Sequence, residues 1–230
     1  MTTTPWRTDK WFTSPWNHVP EVRDQLNFAG KIRLHDVTLR DGEQQAGIVF
    51  TKDDKIRIAE ALAEAGVHRI EAGMPAVSPD DAAAIRELAK RDLGDTEVFA
   101  FARCMKEDVQ RAVDCGVSGV VIEIPSSKHM IEKAYGWELE RAINLSIEAT
   151  RFAHDQGLYV VFFPIDLSRA DFDWGLGLIE RVANEGWMDA LAVVDTLGGL
   201  APHAVPWLIR KIRERLPGEP LEAHFHEDFG

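Results

Sequence analysis

At 230 residues the chain is long enough for one domain that buries roughly three quarters of the surface its unfolded form exposes. Its 38 acidic against 26 basic residues, a formal net charge of −12, argue against a nucleic-acid or anionic-membrane partner. No run reaches the ~18 apolar residues of a membrane span or the apolar core of a signal peptide, so a cytoplasmic protein without a membrane partner is expected.

Residues 1–30 stand apart. Trp6, Trp11 and Trp16 recur every fifth residue among prolines with no helical or strand period, which predicts an irregular N-terminal arm. It packs either on its own domain or as a clasp on a partner subunit, because large aromatics favour interfaces. From residue 31 short apolar runs alternate with amphipathic stretches. The strand candidates are 31–39, 67–73, 97–103, 119–125, 158–165, 190–196 and 221–226. A helix fits between each strand and the next, the signature of parallel βα units. Thr51 with Asp53 and Asp54, and Ser78 with Pro79, Asp80 and Asp81, read as helix starts; Gly66, Gly116, Gly157 and Gly186 read as stops. Cys104 and Cys115 lie outside any C-x-x-C pair and are expected as core thiols.

This order predicts an α/β fold, a (β/α)8 TIM barrel over residues 31–230 seen through strand seven, with strand eight beyond Gly230. An open doubly wound sheet is disfavoured, since no G-x-G-x-x-G or G-x-x-x-x-G-K follows an early strand. In a βα barrel the active site lies at the C-terminal ends of the strands. There the sequence places Arg40, Asp41, Glu43 and Gln44 (strand one), Glu71 (two), Ser126 and His129 (four), Asp195 and Thr196 (six), and His224 and His226 (seven). The two histidines of "HFH" share a face about 7 Å apart along the strand, a spacing at which two imidazoles grip one cation. Asp41 on strand one is close enough in a closed barrel to complete a site with open positions, as a catalytic metal requires. The mixed donor set leaves Mg²⁺, Mn²⁺, Zn²⁺ and Fe²⁺ open. Arg40 is expected to stabilise a developing oxyanion, with Glu71 orienting it.

"DVTLRDGEQQAG" together with "HFHEDFG" resembles the metal-dependent Claisen-condensing barrels: the 2-isopropylmalate, homocitrate and citramalate synthases and the hydroxymethylglutaryl-CoA lyases. The resemblance implies Asp41, His224 and His226 as ligands of a divalent metal, and Arg40 with Glu71 as the oxyanion-stabilising pair. It places Ser126, His129 and Lys133 near the substrate and Thr196 near the 2-oxo acid carboxylate, and makes His129 a candidate catalytic base; Arg40 and Gln44 are further substrate-binding candidates. Acetyl-CoA is the implied cosubstrate, a 2-oxo acid the acceptor and a homodimer the expected assembly. Glu227 stands where the family usually has asparagine, and Ile165 where a glutamate is common, followed by Asp166 and Arg169.

"RDGEQ" resembles the synthases, so the expected function is an acyltransferase condensing acetyl-CoA with a 2-oxo acid, followed by thioester hydrolysis. A hydroxymethylglutaryl-CoA lyase-like retro-aldol lyase or aldolase is the alternative. A non-catalytic barrel serving as a binding subunit is the alternative of another class.

Overall fold

The computed structural model describes residues 4–26 and 31–229. By its contacts the chain forms two compact units, Met1–Arg33 and Leu34–Gly230. Within the first, a 3-10 turn at Pro15–His18 is capped by the Ser14 hydroxyl and followed by a one-turn helix α1 (Pro20–Arg23). An isolated antiparallel bridge joins Arg7 to Phe12, and the Trp6 and His18 rings sit 5.8 Å apart.

The second unit is a seven-stranded, wholly parallel sheet in sequential order: β1 (His35–Asp36), β2 (Arg69–Glu71), β3 (Glu97–Arg103), β4 (Gly119–Pro125), β5 (Tyr159–Ile165), β6 (Ala190–Asp195) and β7 (Leu221–Phe225). Helices α2 (Lys52–Glu64), α3 (Pro79–Ala89), α4 (Lys106–Cys115), α5 (Leu139–Asp155), α6 (Phe172–Glu185) and α7 (Val205–Arg215) connect the strands in turn. The sheet curls far enough for inward side chains of β1 and β7 to meet, His35 Nδ1 lying 3.0 Å from Glu222 Oε2. This is the expected (β/α) barrel through its seventh strand. Among the described residues no helix is long and apolar enough to cross a membrane.

Strand alternation divides the apolar residues into two cores. On β4, Val120, Ile122 and Ile124 face outward into the layer between sheet and helices, while Val121 faces inward with Phe99, Phe101, Val161, Phe163, Ala190, Ala192 and Val194. Gly119 occupies the inward position at the floor because the Phe99 ring fills the space a Cβ would need.

Helix starts follow the local chemistry. Thr51 and Asp54 form a reciprocal capping box, and Ser78 and Asp171 accept from the backbone N–H three residues on. Gly116 ends α4 in the left-handed conformation, φ 77°. Cys104 and Cys115 are buried, as expected.

Two strands are shorter than the apolar runs that announced them. Residues 31–39 yield only His35–Asp36, because the chain leaves the sheet at Val37. The Val37 carbonyl accepts from the N–H groups of Arg40, Asp41 and Gly42 at 3.1, 2.8 and 3.2 Å. "LRDG" is therefore wound about a single carbonyl in a tight turn, not extended along the strand. In β2 only Arg69–Glu71 pairs as strand, with Ala72 N and the Gly73 carbonyl continuing the bonding to Phe99 and Phe101.

Candidate metal centre

That turn fixes the first side chain of the centre. Asp41 hangs from it over the mouth of the barrel, and its Oδ2 lies 3.9 Å from both His224 Nε2 and His226 Nε2. The two imidazole nitrogens are 3.2 Å apart, and a donor atom of each of the three residues lies within 4.8 Å of the others. Donors about 2.1 Å from one cation are separated by about 3.0–3.4 Å, so the cluster fits a single divalent ion with a small inward closure. Burial, helped by the nearby Arg40 cation, pushes His224 down to about 4, which keeps the imidazole in its neutral, metal-binding form near neutrality. His226 lies just past β7, and its N–H bonds to the Asp195 carbonyl, extending the pairing with β6 that aims its ring beside His224.

Arg40 is buried next to the cluster. Its Nε donates to Glu71, its Nη1 donates to Asp41 Oδ1 at 3.0 Å, and its guanidinium lies 4.0 Å from the centre of the Phe101 ring. Burial pushes Glu71 up, with the Arg40 cation working against it. The remaining nitrogen, Nη2, is buried without a partner among the described residues. An unpaired buried donor on a charged group costs more than the ~1–3 kcal/mol of a neutral one, so the site is organised for an acceptor that a ligand would bring. Beneath, Lys55 locks the turn: its Nζ bonds to the Leu39 carbonyl at 3.2 Å and pairs with Glu43 and Asp81.

Arg40 also lines a cleft of about 750 Å³ that runs between the β1–α2 and β2–α3 connections. Gln44, exposed on the 3-10 turn Gly42–Gln44, forms part of its rim, with Met74, Val77 and Phe50 supplying apolar wall. The cleft touches the three-donor cluster only through Arg40.

The other residues expected at the site fare differently. Thr196 is half-buried, and its Oγ1 accepts from Asp166 N–H at 2.7 Å, which leaves its own proton free to donate. Ser126 is wholly buried; its hydroxyl donates to the Ile165 carbonyl at 2.8 Å, tying β4 to β5. His129 is exposed on the turn that leads into the short π-helix Met130–Ala134, with no side-chain capping bond. Asp195 is spent on the Ser168 hydroxyl and on the N–H groups of Gly199 and Leu200. Asp166, held in the left-handed region at φ 64°, accepts from Ser127 and from two nitrogens of Arg169. Glu123 went unremarked in the sequence. It is the one charged residue in the apolar run "GVVIEIP", and its inward parity with Val121 was the signal that could have found it.

Residues 31–230 match the family model described as HMGL-like. The chain is 32% identical to a homocitrate synthase, AksA, of Methanothermobacter thermautotrophicus, over 96% of this chain and 55% of that protein. It is 37% identical to a probable 2-isopropylmalate synthase of Ignicoccus hospitalis, over 89% and 51%. It is 39% identical to a putative (R)-citramalate synthase, CimA, of Archaeoglobus fulgidus, over 87% and 40%. The chain thus spans about half the length of these relatives. Among solved structures, a hydroxymethylglutaryl-CoA lyase from Pseudomonas aeruginosa superposes with a TM-score of 0.77 at 22% identity, covering 89% of this chain and 71% of that one. An HMG-CoA lyase from Acinetobacter baumannii, in complex with coenzyme A and 3-methylmalate, superposes at 0.75 and 18%, covering 90% and 70%. At these identities the two structures bear on the fold alone.

Proposed function

Because the chain belongs to the HMGL-like family, we propose that it is the metal-binding part of an acyltransferase that condenses acetyl-CoA with a 2-oxo acid. The observation that carries the reading is the buried, unpartnered Nη2 of Arg40 beside the Asp41–His224–His226 cluster. The synthase names of the relatives support the direction of the reaction.

In this reading Asp41, His224 and His226 hold the divalent ion. When bound, it supplies a Lewis acid that polarises the keto group of the acceptor. Arg40 donates its free N–H to the oxygen on which charge develops, and a donor fixed in advance stabilises that charge without reorganisation. Glu71 and the Phe101 ring hold the guanidinium in its plane, so the fork cannot swing away. Thr196 presents a hydroxyl proton toward a carboxylate acceptor, while Asp166 N–H fixes its oxygen. The cleft that begins at Arg40 is within the ~300–1,000 Å³ range of small-molecule and cofactor sites, and we assign it to the acyl-CoA. Ser126, its hydroxyl committed to Ile165, holds the mouth in shape.

The test is thiol release from acetyl-CoA by the full-length protein with 2-oxoisovalerate, 2-oxoglutarate, pyruvate or oxaloacetate, with and without Mg²⁺, Mn²⁺ or Zn²⁺. Release that requires one 2-oxo acid and a metal is expected. Silence across the panel with metal bound would overturn the condensing direction in favour of the lyase or aldolase alternative. Failure to bind any divalent metal would leave the non-catalytic reading.

A further inference from the structure

Among the described residues three carboxylates reach the inner wall of the barrel mouth, and two are committed. Asp41 belongs to the ligand cluster and Glu71 is bonded to Arg40. The third, Glu123 on β4, accepts no side-chain hydrogen bond among the described residues. Its parity is that of Val121, which packs inside the barrel, whereas Val120, Ile122 and Ile124 pack outside. Its register partner on β5 is Phe163, whose ring lies 5.0 Å from the His224 ring and 5.9 Å from the Arg40 guanidinium carbon. Glu123 is thus next to an aromatic ring that lies against both the candidate ligand His224 and the candidate oxyanion donor Arg40. It is neither fully buried nor exposed, so a substrate can reach it.

Its surroundings fit a proton carrier. Burial pushes Glu123 above the ordinary carboxylate range; the Arg40 and Arg103 cations pull the other way, and the Glu71 and Asp108 carboxylates add to the rise. The Tyr135 hydroxyl, in the connection after β4, is within range of its charge, and its neighbours on β5 are apolar, Phe163 and, one step on, Ile165. Arg103 is already held by Asp108, at 2.6 Å. A carboxylate that is desolvated, unbonded and beside an oxyanion donor is how proteins build a base strong enough to take a proton from carbon.

We propose that Glu123 moves the proton at the carbon next to the thioester carbonyl, an inference that rests on the acyl-transfer reading of the site. The Glu123 carboxylate takes one methyl proton of acetyl-CoA, and the C–H electron pair becomes the C=C bond of an enolate whose charge lies on oxygen. The enolate carbon then attacks the keto carbon of the 2-oxo acid. A C–C bond forms, the keto C=O pair moves onto oxygen, and that alkoxide takes the proton back from Glu123. The carboxylate is regenerated and no external reductant or oxidant is needed.

The experiment uses the full-length, metal-loaded protein. Glu123→Gln is expected to lower kcat for thiol release by at least about 100-fold, the lower end of what a general base contributes, and to stop deuterium exchange into the acetyl-CoA methyl group in D₂O. Mn²⁺ affinity and melting temperature are expected to stay at the wild-type value. The acid limb of the wild-type kcat/KM profile should lie above ~4.3, the ordinary glutamate range, and should be absent from the residual activity of Glu123→Gln. Should that variant fold poorly, Glu123→Asp carries the test, with kcat lowered and KM preserved. Thiol release and exchange by Glu123→Gln at wild-type rates, or an unchanged acid limb, would overturn the proposal alone. A wild-type protein that binds metal but neither releases thiol nor exchanges would overturn the acyl-transfer reading, and the proposal with it.

Discussion

The floor and the mouth of this barrel are both charged, and they differ in whether the charges answer one another. At the floor, Arg69 donates to Glu97 at 3.0 Å and to Glu222 at 2.7 Å, and Glu222 also meets His35 Nδ1 at 3.0 Å. The Arg69 guanidinium lies over Tyr159 and Phe99, 4.2 and 4.7 Å from the ring centres. Among the described residues the one buried atom left over there is His35 Nε2. With the proton on Nδ1, facing a carboxylate, Nε2 is a bare lone pair, cheaper to leave unmatched than a guanidinium N–H. At the mouth the leftovers are an Arg40 N–H and the Glu123 carboxylate. Charges that satisfy each other hold a fold together; charges left unmatched at a strand's C-terminal end are there for a ligand.

Substitutions at the two ends should separate these roles. The largest expected effect is at the mouth: Asp41→Ala or His226→Ala should abolish metal-dependent turnover while the melting temperature stays close to wild type. A fall in melting temperature as large as that of a core truncation would count against the assignment. Arg40→Lys comes next, with kcat reduced by about 100-fold, comparable to the loss of one oxyanion donor, because an ammonium cannot bond Glu71, Asp41 and a ligand in one plane. Near-normal turnover in steady-state assays would remove Arg40 from the chemistry.

The floor should give the opposite profile. Arg69→Met leaves Glu222 without its guanidinium partner, and urea unfolding should show a loss of about 2–3 kcal/mol, below the ~3–5 of a fully buried pair since Glu222 keeps some solvent contact. Its kcat per folded molecule should be unchanged; a loss of turnover at full stability would make the floor part of the site. The smallest effect concerns Cys104, whose thiol burial pushes up to about 12. A thiol reagent should leave it unmodified in the native protein and label it on unfolding, and prompt native labelling would contradict the packing of Cys104 against Ser146 of α5.

The barrel itself was legible because apolar runs and amphipathic stretches alternate, with capping side chains opening α2, α3 and α6 and a glycine closing several helices, and each is a local signal. The three-donor cluster was legible for a related reason: His224 and His226 share a face by strand geometry alone. The limits appeared where contacts are non-local. Residues 31–39 read as a long strand, since nothing in "HDVTLRDG" announces that three N–H groups will converge on the Val37 carbonyl. Ser126 and Thr196 read as equivalent polar groups at strand ends, yet one hydroxyl is consumed by the Ile165 carbonyl and the other keeps its proton. Glu123 was not legible, because one acidic residue in an apolar strand has no partner in the sequence to give it meaning.

By itself the sequence determined the order of elements, the inward face of each strand and the residue types at each strand's end, because periodicity, capping and alternation act over a few residues. Only the tertiary structure decided which of those end groups meet. Curling the sheet brings β1 to β7, and that closure puts Asp41 against two histidines more than 180 positions away, pairs Glu222 with His35, and leaves one Arg40 N–H with nothing to bond among the described residues.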